Sequence, residues 1–271
     1  MAVSAVKDAK RIVVKVGTST LTYENGRLNL RRVEALCRVL SDLKNSGKEI
    51  TLVTSGAIGV GAGHLGLQER PRDIGGKQAA AAVGQCELMY LYDKCFGEYG
   101  HITAQVLLTR DVVEHPDRKR NVVNTLTRLL EYGTVPIINE NDTVAVDEIE
   151  FGDNDTLSAM VAELIGADAL VLLTDIDGLY DADPHIHTDA HRIPVVHVID
   201  DSLRALAGGA GSQRGTGGMA TKLHAAQIAM EAGIPAVIMN GAQPFRLYDL
   251  FDGRPRGTLF DPGAEDEGKA E

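Results

Sequence analysis

Arg11-Ile12-Val13-Val14-Lys15-Val16-Gly17-Thr18-Ser19 is a β-branched run that stops at a glycine and two hydroxyls. Its apolar residues are nearly continuous, which reads as a strand over Arg11–Val16 inside a sheet covered on both faces. One residue breaks the pattern. A lysine among Ile12, Val13, Val14 and Val16 is costly to bury without an anionic partner. It is either solvent-facing on an edge strand or a phosphate contact, and the glycine and hydroxyls at the strand end favour the phosphate.

The pattern repeats outward from this run. Leu30–Lys44 has Val33, Leu36, Val39, Leu40 and Leu43 at helical spacing, and Gly47 ends it. Strands are expected at Ile50–Thr54, Ile102–Leu108, Val135–Asn139, Leu170–Thr174, Val195–Val198 and Ile234–Met239, with Gly257–Phe260 closing the sheet. Helices are expected at Ala79–Phe96, Asn121–Tyr132, Thr156–Ile165 and Met219–Ala232. A short hairpin is expected over Val144–Phe151. Strands alternating with crossover helices predict α/β architecture around a mainly parallel sheet. One domain over residues 1–260 accounts for this, with its cleft along the carboxyl ends of the strands. Residues 261–271 are acidic and polar and are expected to form a disordered tail.

The bulk composition narrows the function. The chain has 271 residues and a net charge of −11, which argues against nucleic acid as a partner. No run approaches 18 apolar residues and the start lacks a signal-peptide core, so the reading is a cytoplasmic protein without membrane contact. Cys37, Cys86 and Cys95 lack metal-ligand spacing and fit reduced, mostly buried thiols. The histidines at 185, 187 and 191 sit in a polar stretch and read as solvated loop.

Four constellations can carry chemistry. Lys15 with Gly17 is the first. Gly215-Thr216-Gly217-Gly218-Met219-Ala220-Thr221-Lys222 is the second: loop glycines run into a helix start with a lysine one turn inside. Unpaired backbone N–H groups and the helix dipole suit that end to phosphate. The third is Thr54-Ser55-Gly56, directly after a strand. The fourth combines Asn139-Glu140-Asn141-Asp142 and Gly152-Asp153-Asn154-Asp155, apart from the strand end Thr174-Asp175, which is where a ribose or base edge is often read. Asn and Asp cap helices and make turns, and Asp153 reads as such a cap. Two such clusters a dozen residues apart also suit a substrate ammonium or the ordering of lysines. A GxGxxG match at Gly61–Gly66 lies away from any strand-to-helix turn, and no P-loop sequence occurs.

Together these blocks resemble the amino acid kinase family. The motifs are Val14–Ser19, Val53–Ile58, Lys77-Gln78 with Ala82-Val83-Gly84-Gln85, Gln105–Arg110, Val135–Asp142, Gly152–Asp155, Leu172–Asp175, Gly178–Tyr180 and Gly215–Met219. They run in family order over nearly the whole chain. The resemblance is to the branch acting on glutamate at the first step of proline biosynthesis, in the form without an extra C-terminal PUA-type domain. It implies a three-layer α/β/α fold and transfer of the γ-phosphoryl of ATP to the side-chain carboxylate of L-glutamate. By position, Lys15, Lys222 and Asp155 match catalytic residues, while Ser55, Asp142 and Asn154 match the glutamate site. Lys15, Gly17, Thr174, Asp175, Thr216, Gly217, Gly218, Met219, Ala220, Thr221 and Lys222 match the ATP site. The glutamate site then falls in the N-terminal part of the domain and the nucleotide site in the C-terminal part.

Mg²⁺ is implied as a partner of the phosphates, with no protein side chain as its ligand. The resemblance further implies proline as a feedback inhibitor, a homo-oligomer (dimer or tetramer) and a downstream reductase that takes the acyl phosphate. Two other readings remain open at this stage: a sister kinase acting on another carboxylate or carbamate, and a non-catalytic sensor of glutamate, proline or nucleotide. A nicotinamide-dependent dehydrogenase rests only on the misplaced glycine motif.

Overall fold

The computed structural model describes residues 6–23, 26–112, 114–144, 154–184, 186–207, 218–254 and 256–263. Outside them lie most of the expected hairpin, the expected cap Asp153, His185, the stretch Gly215–Gly217 with Thr216 and Gly217, and the tail beyond 263.

The strands are β1 (Arg11–Val16), β2 (Glu49–Val53), β3 (Thr103–Leu108), β4 (Val135–Glu140), β5 (Ala169–Thr174), β6 (Val195–Val196), β7 (Ala236–Asn240) and β8 (Thr258–Phe260). Among the described residues they form one eight-stranded sheet in the order β3-β4-β2-β1-β5-β7-β8-β6. Pairing is parallel from β3 across to β7. At the far side β8 runs antiparallel to β7, and β6 pairs with β8. The strand quoted above is therefore central, not an edge. Pro136 is tolerated inside β4 because pairing with β2 begins only at Ile137.

The helices are α1 (Thr18–Leu21), α2 (Leu30–Asn45), α3 (Ala57–His64), α4 (Ile74–Gly97), α5 (Pro116–Glu131), α6 (Asn154–Ile165), α7 (Asp201–Ala207), α8 (Met219–Glu231) and α9 (Arg246–Phe251). Period-2 alternation in β1 divides the core into two layers. Ile12, Val14 and Val16 pack with residues of α2, α4 and α9. Val13 points the other way and packs with residues of α6 and α8. The result is the expected three-layer α/β/α sandwich.

Several local expectations are corrected. Helix α4 starts at Ile74 rather than Ala79, because the Asp73 side chain caps it by accepting from Gly76 N at 2.8 Å. Helix α5 starts at Pro116 rather than Asn121, using proline where no N–H is needed. The glycine-rich stretch after β2 is helix α3 and packs on α4. A Cβ at Gly61 would sit 1.8 Å from Ala80 O, and one at Gly84 would sit 1.9 Å from Ala57 O. Glycine is present there so that two helix backbones can touch, which also disposes of the GxGxxG match as a nucleotide loop.

Candidate active site

The carboxyl ends of the parallel strands collect the polar residues. Lys15 is the penultimate residue of β1 and shares Val13's side of the strand, so its ammonium lies at the sheet's carboxyl edge under α6 and α8. The first turn of α6 supplies Asp155, and the first turn of α8 supplies Lys222. All three are buried. Lys15 Nζ lies 2.5 Å from Asp155 Oδ1, and Lys222 Nζ lies 3.1 Å from Asp155 Oδ2. Thr221 Oγ1 also donates to Asp155 Oδ2 at 3.0 Å. Ser158 Oγ donates to the Asp155 carbonyl at 2.6 Å, tying down the turn that carries the carboxylate.

Burial alone would raise the Asp155 carboxyl. The two ammonium groups outweigh it and hold the acid below the usual carboxylate range. The site is thus a carboxylate clasped by two lysines from opposite ends of the chain.

The residues expected to bind glutamate are partly brought together. Asn154 Nδ2 donates to Ser55 Oγ at 2.9 Å. Asp142 lies beyond the end of β4, half-buried, and among the described residues no hydrogen bond joins it to Ser55 or Asn154. Burial pushes its acid up, and the Arg70 guanidinium facing it partly opposes that. On the other side, Thr174 ends β5 and donates to Asp175 Oδ1 at 3.1 Å. Asp175 is exposed at the strand end, and Asn240 Nδ2 of β7 reaches its carbonyl at 3.2 Å. Gly218 caps α8 in extended conformation, followed by half-buried Met219 and exposed Ala220. Gly17 caps α1 with φ −85°, an extended conformation that does not itself require glycine.

Several residues of the quoted motifs that were not singled out as site residues are also placed here by the fold. Asn139, the buried polar end of an apolar strand, carries the same signal as Lys15. Gln85 interrupts the buried stripe of α4 formed by Ala81, Leu88 and Tyr92. Asn139 Nδ2 donates to Gln85 Oε1 at 2.8 Å, and Asn154 Nδ2 donates to Asn139 Oδ1 at 3.0 Å. Beside them the Tyr92 hydroxyl and Thr54 Oγ1 share a 2.8 Å hydrogen bond that pins the end of β2.

Outside the cleft, His187 and His191 are exposed, as expected. Among the described residues no group of three or more His, Cys, Asp or Glu is placed to hold a metal. No helix among them is long and apolar enough to cross a membrane. Cys37 and Cys95 are buried free thiols and Cys86 is exposed on α4, in keeping with mostly buried, unbridged sulfurs.

The family model described as the amino acid kinase family matches residues 10–240. A protein named glutamate 5-kinase from Clostridium perfringens (strain 13 / Type A) is 56% identical over 260 residues, spanning 94% of this chain and 97% of the relative. Another from Listeria innocua is 54% identical over 94% of each chain. A third, from Caldanaerobacter subterraneus subsp. tengcongensis, is 56% identical over 93% of this chain and 68% of its own longer one.

Among solved structures, UMP kinase from Bacillus anthracis superposes with a TM-score of 0.62 at 18% identity, covering 94% of this chain and 97% of that one. Isopentenyl phosphate kinase from T. acidophilum gives 0.62 at 18% identity over 92% and 99%. These two carry the fold alone. With the family model spanning most of the chain and relatives above half identity, this chain belongs to the amino acid kinase family.

Proposed function

We propose that this protein transfers the γ-phosphoryl group of ATP to the side-chain carboxylate of L-glutamate, giving γ-glutamyl phosphate and ADP. The observation that carries the reading is the buried Lys15–Asp155–Lys222 cluster at the carboxyl edge of the sheet, where the first turns of α6 and α8 supply Asp155 and Lys222. The kinship to glutamate 5-kinases supports the choice of acceptor.

The reaction asks for no general base. A glutamate side chain titrates near 4.3, so the nucleophile is ionised at neutral pH. One carboxylate oxygen bonds to the γ-phosphorus as the bond to the β–γ bridging oxygen breaks, and the electron pair leaves on ADP. The difficulty is repulsion between anions. Two unit charges about 4 Å apart repel by roughly 4 kcal/mol at an effective dielectric of 20. Lys15 and Lys222 offset this and follow negative charge as it moves from the transferring group to the leaving oxygen. Asp155 holds the two ammonium groups at fixed positions.

The Asp155 oxygens are occupied by lysine and threonine donors. That donor set fits a Mg²⁺ ion carried on the nucleotide phosphates rather than one held by this carboxylate. Such an ion supplies further charge neutralisation at the phosphates.

Ser55, Asn154 and Asp142 take the amino acid, with Asp142 as the counter-ion for its ammonium. Thr174, Asp175 and the stretch Thr216–Lys222 take the nucleotide. The single domain over 1–260 is thereby divided into an acceptor half and a nucleotide half. A mixed anhydride hydrolyses or cyclises readily, so a reductase that consumes it directly is the partner this product calls for. Proline control and a homo-oligomeric state complete the reading.

The test is turnover with Mg-ATP and hydroxylamine, trapping any acyl phosphate as a hydroxamate. L-Glutamate, aspartate and N-acetylglutamate are compared while ADP release is followed. Hydroxamate from L-glutamate alone is expected. In Lys222→Ala the rate should fall on the order of 10²–10³-fold, the scale of losing one preorganised charge donor. Wild-type turnover by that variant would remove Lys222 from the mechanism.

A further inference from the structure

A carboxamide has one accepting and one donating end of nearly equal shape, so its partners decide which way it faces. In this site the decision comes from a group that can only donate. Glu140 N donates to Asn139 Oδ1 at 2.9 Å. Asn139 therefore offers Nδ2 to Gln85 Oε1 at 2.8 Å. Asn154 in turn directs Nδ2 at Asn139 Oδ1, 3.0 Å away, and at Ser55 Oγ, 2.9 Å away. Three side chains from α4, β4 and α6 thus form one oriented relay. Both ends of the relay are buried with no hydrogen-bond partner among the described residues: Gln85 Nε2 on the α4 side and Asn154 Oδ1 at the site end. A buried acceptor kept unpaired is costly and calls for a donor from outside the protein.

We propose that Gln85 is a positioning residue for amino-acid recognition: through Asn139 it holds Asn154 with its carbonyl oxygen turned to the ammonium group of the substrate. This rests on the proposed role of Asn154 in the acceptor site. An amino acid offers N–H donors only at its ammonium, since both carboxylates are acceptors. Gln85 is 8% exposed and acts from behind, without touching substrate. If its Oε1 is removed, Asn139 Nδ2 becomes a buried donor without an acceptor. The unpaired acceptor in the same relay is Asn154 Oδ1, so the amide that should meet substrate is diverted inward.

The experiment uses the full chain with Gln85→Leu, Gln85→Met and Gln85→Glu. KM is measured for L-glutamate and for ATP, together with the competitive Ki of glutarate, which keeps both carboxylates and lacks the ammonium. For Gln85→Leu, or for Gln85→Met should the leucine variant fail to fold, KM for glutamate should rise about tenfold, equivalent to one lost oriented hydrogen bond. KM for ATP and Ki for glutarate should stay within about twofold. Gln85→Glu keeps an oxygen toward Asn139 and should bring KM for glutamate back near the wild-type value. An unchanged glutamate KM, or equal losses for glutamate and glutarate, would overturn the role assigned to Gln85. A wild-type protein that forms no hydroxamate from glutamate would instead overturn the reading on which it rests.

Discussion

Asp155 and Asp142 are two aspartates of one cleft with opposite electrostatics. Asp155 is buried but clasped by Lys15 and Lys222, and the attraction wins over desolvation. Its depressed acid contributes stability that is present above the ordinary carboxylate range and is lost as pH falls through the folded-state value. Asp142 has no such clasp. Burial raises its acid, and Arg70 offsets this only in part. The sign then reverses: its contribution is most favourable below the unfolded value, near 3.9, and is lost as pH rises through the raised folded one. At neutral pH the ionised Asp142 is a cost that a bound ammonium would relieve. Asp142→Asn should therefore raise the unfolding midpoint of the free protein at pH 7 by roughly 2 °C, the scale of a change below 1 kcal/mol in a domain of this size. The same variant should raise KM for glutamate at least about tenfold by losing the counter-ion. Scanning calorimetry at pH 7 and below pH 4, beside steady-state kinetics, checks both. A gain in midpoint that persists at the lower pH would show that charge is not its origin.

At the level of elements, legibility followed the strength of local pattern. The central strands were readable because runs such as Ala169–Thr174 are buried at every position and leave no other use for so many β-branched and aliphatic residues. Lys15 stood out as a candidate for the same reason, as the one charge such a strand cannot hide alone. Helix α3 was not readable. Ala57–His64 contains three glycines, each a poor helix former, and its apolar residues carry no helical stripe. It is helical because of what it meets: Gly61 and Gly84 let α3 and α4 approach backbone to backbone. Gln85 follows Gly84 directly, so this contact also sets the height at which the carboxamide relay leaves α4. Gly84→Ala would place a methyl 1.9 Å from Ala57 O, where only backbone can yield. The expected result is a loss of about 3 kcal/mol, at the upper end of overpacking costs. KM for glutamate should rise with it, since α3 also begins just after Ser55. Denaturant melts with an unchanged m-value are the check, and a stability within 1 kcal/mol of wild type would refute the close-contact reading.

Across the whole molecule, the two halves of the proposed site come from different stretches of one continuous sheet. Ser55 and Asp142 follow β2 and β4 and Asn139 stands near the end of β4, while Thr174, Asp175 and Asn240 stand at β5 and β7. The halves meet where β1 pairs with β5, from Ile12 opposite Ala169 to Val16 opposite Leu173. That seam carries Lys15 and faces Asp155, so the ion cluster bridges the acceptor side and the nucleotide side. The alternation of strands and helices was enough to anticipate a parallel sheet. It could not anticipate that β8 runs antiparallel, because Thr258–Phe260 is too short for its direction to be read from composition. Nor could it place Asp155 against two lysines 67 and 140 residues away in sequence, since that depends on the crossover order of the sheet. A sheet without a break through its centre should unfold as one cooperative unit. Mg-ATP binding to the nucleotide half should then stabilise the acceptor half equally. At a nucleotide concentration near 100 times its dissociation constant, linkage supplies about 2.7 kcal/mol, or a rise in midpoint of roughly 5–10 °C. Calorimetry should show a single transition that moves as a whole. Two transitions, only one of them moved by nucleotide, would mean that the β1–β5 seam does not couple the halves and that the chain folds as two units.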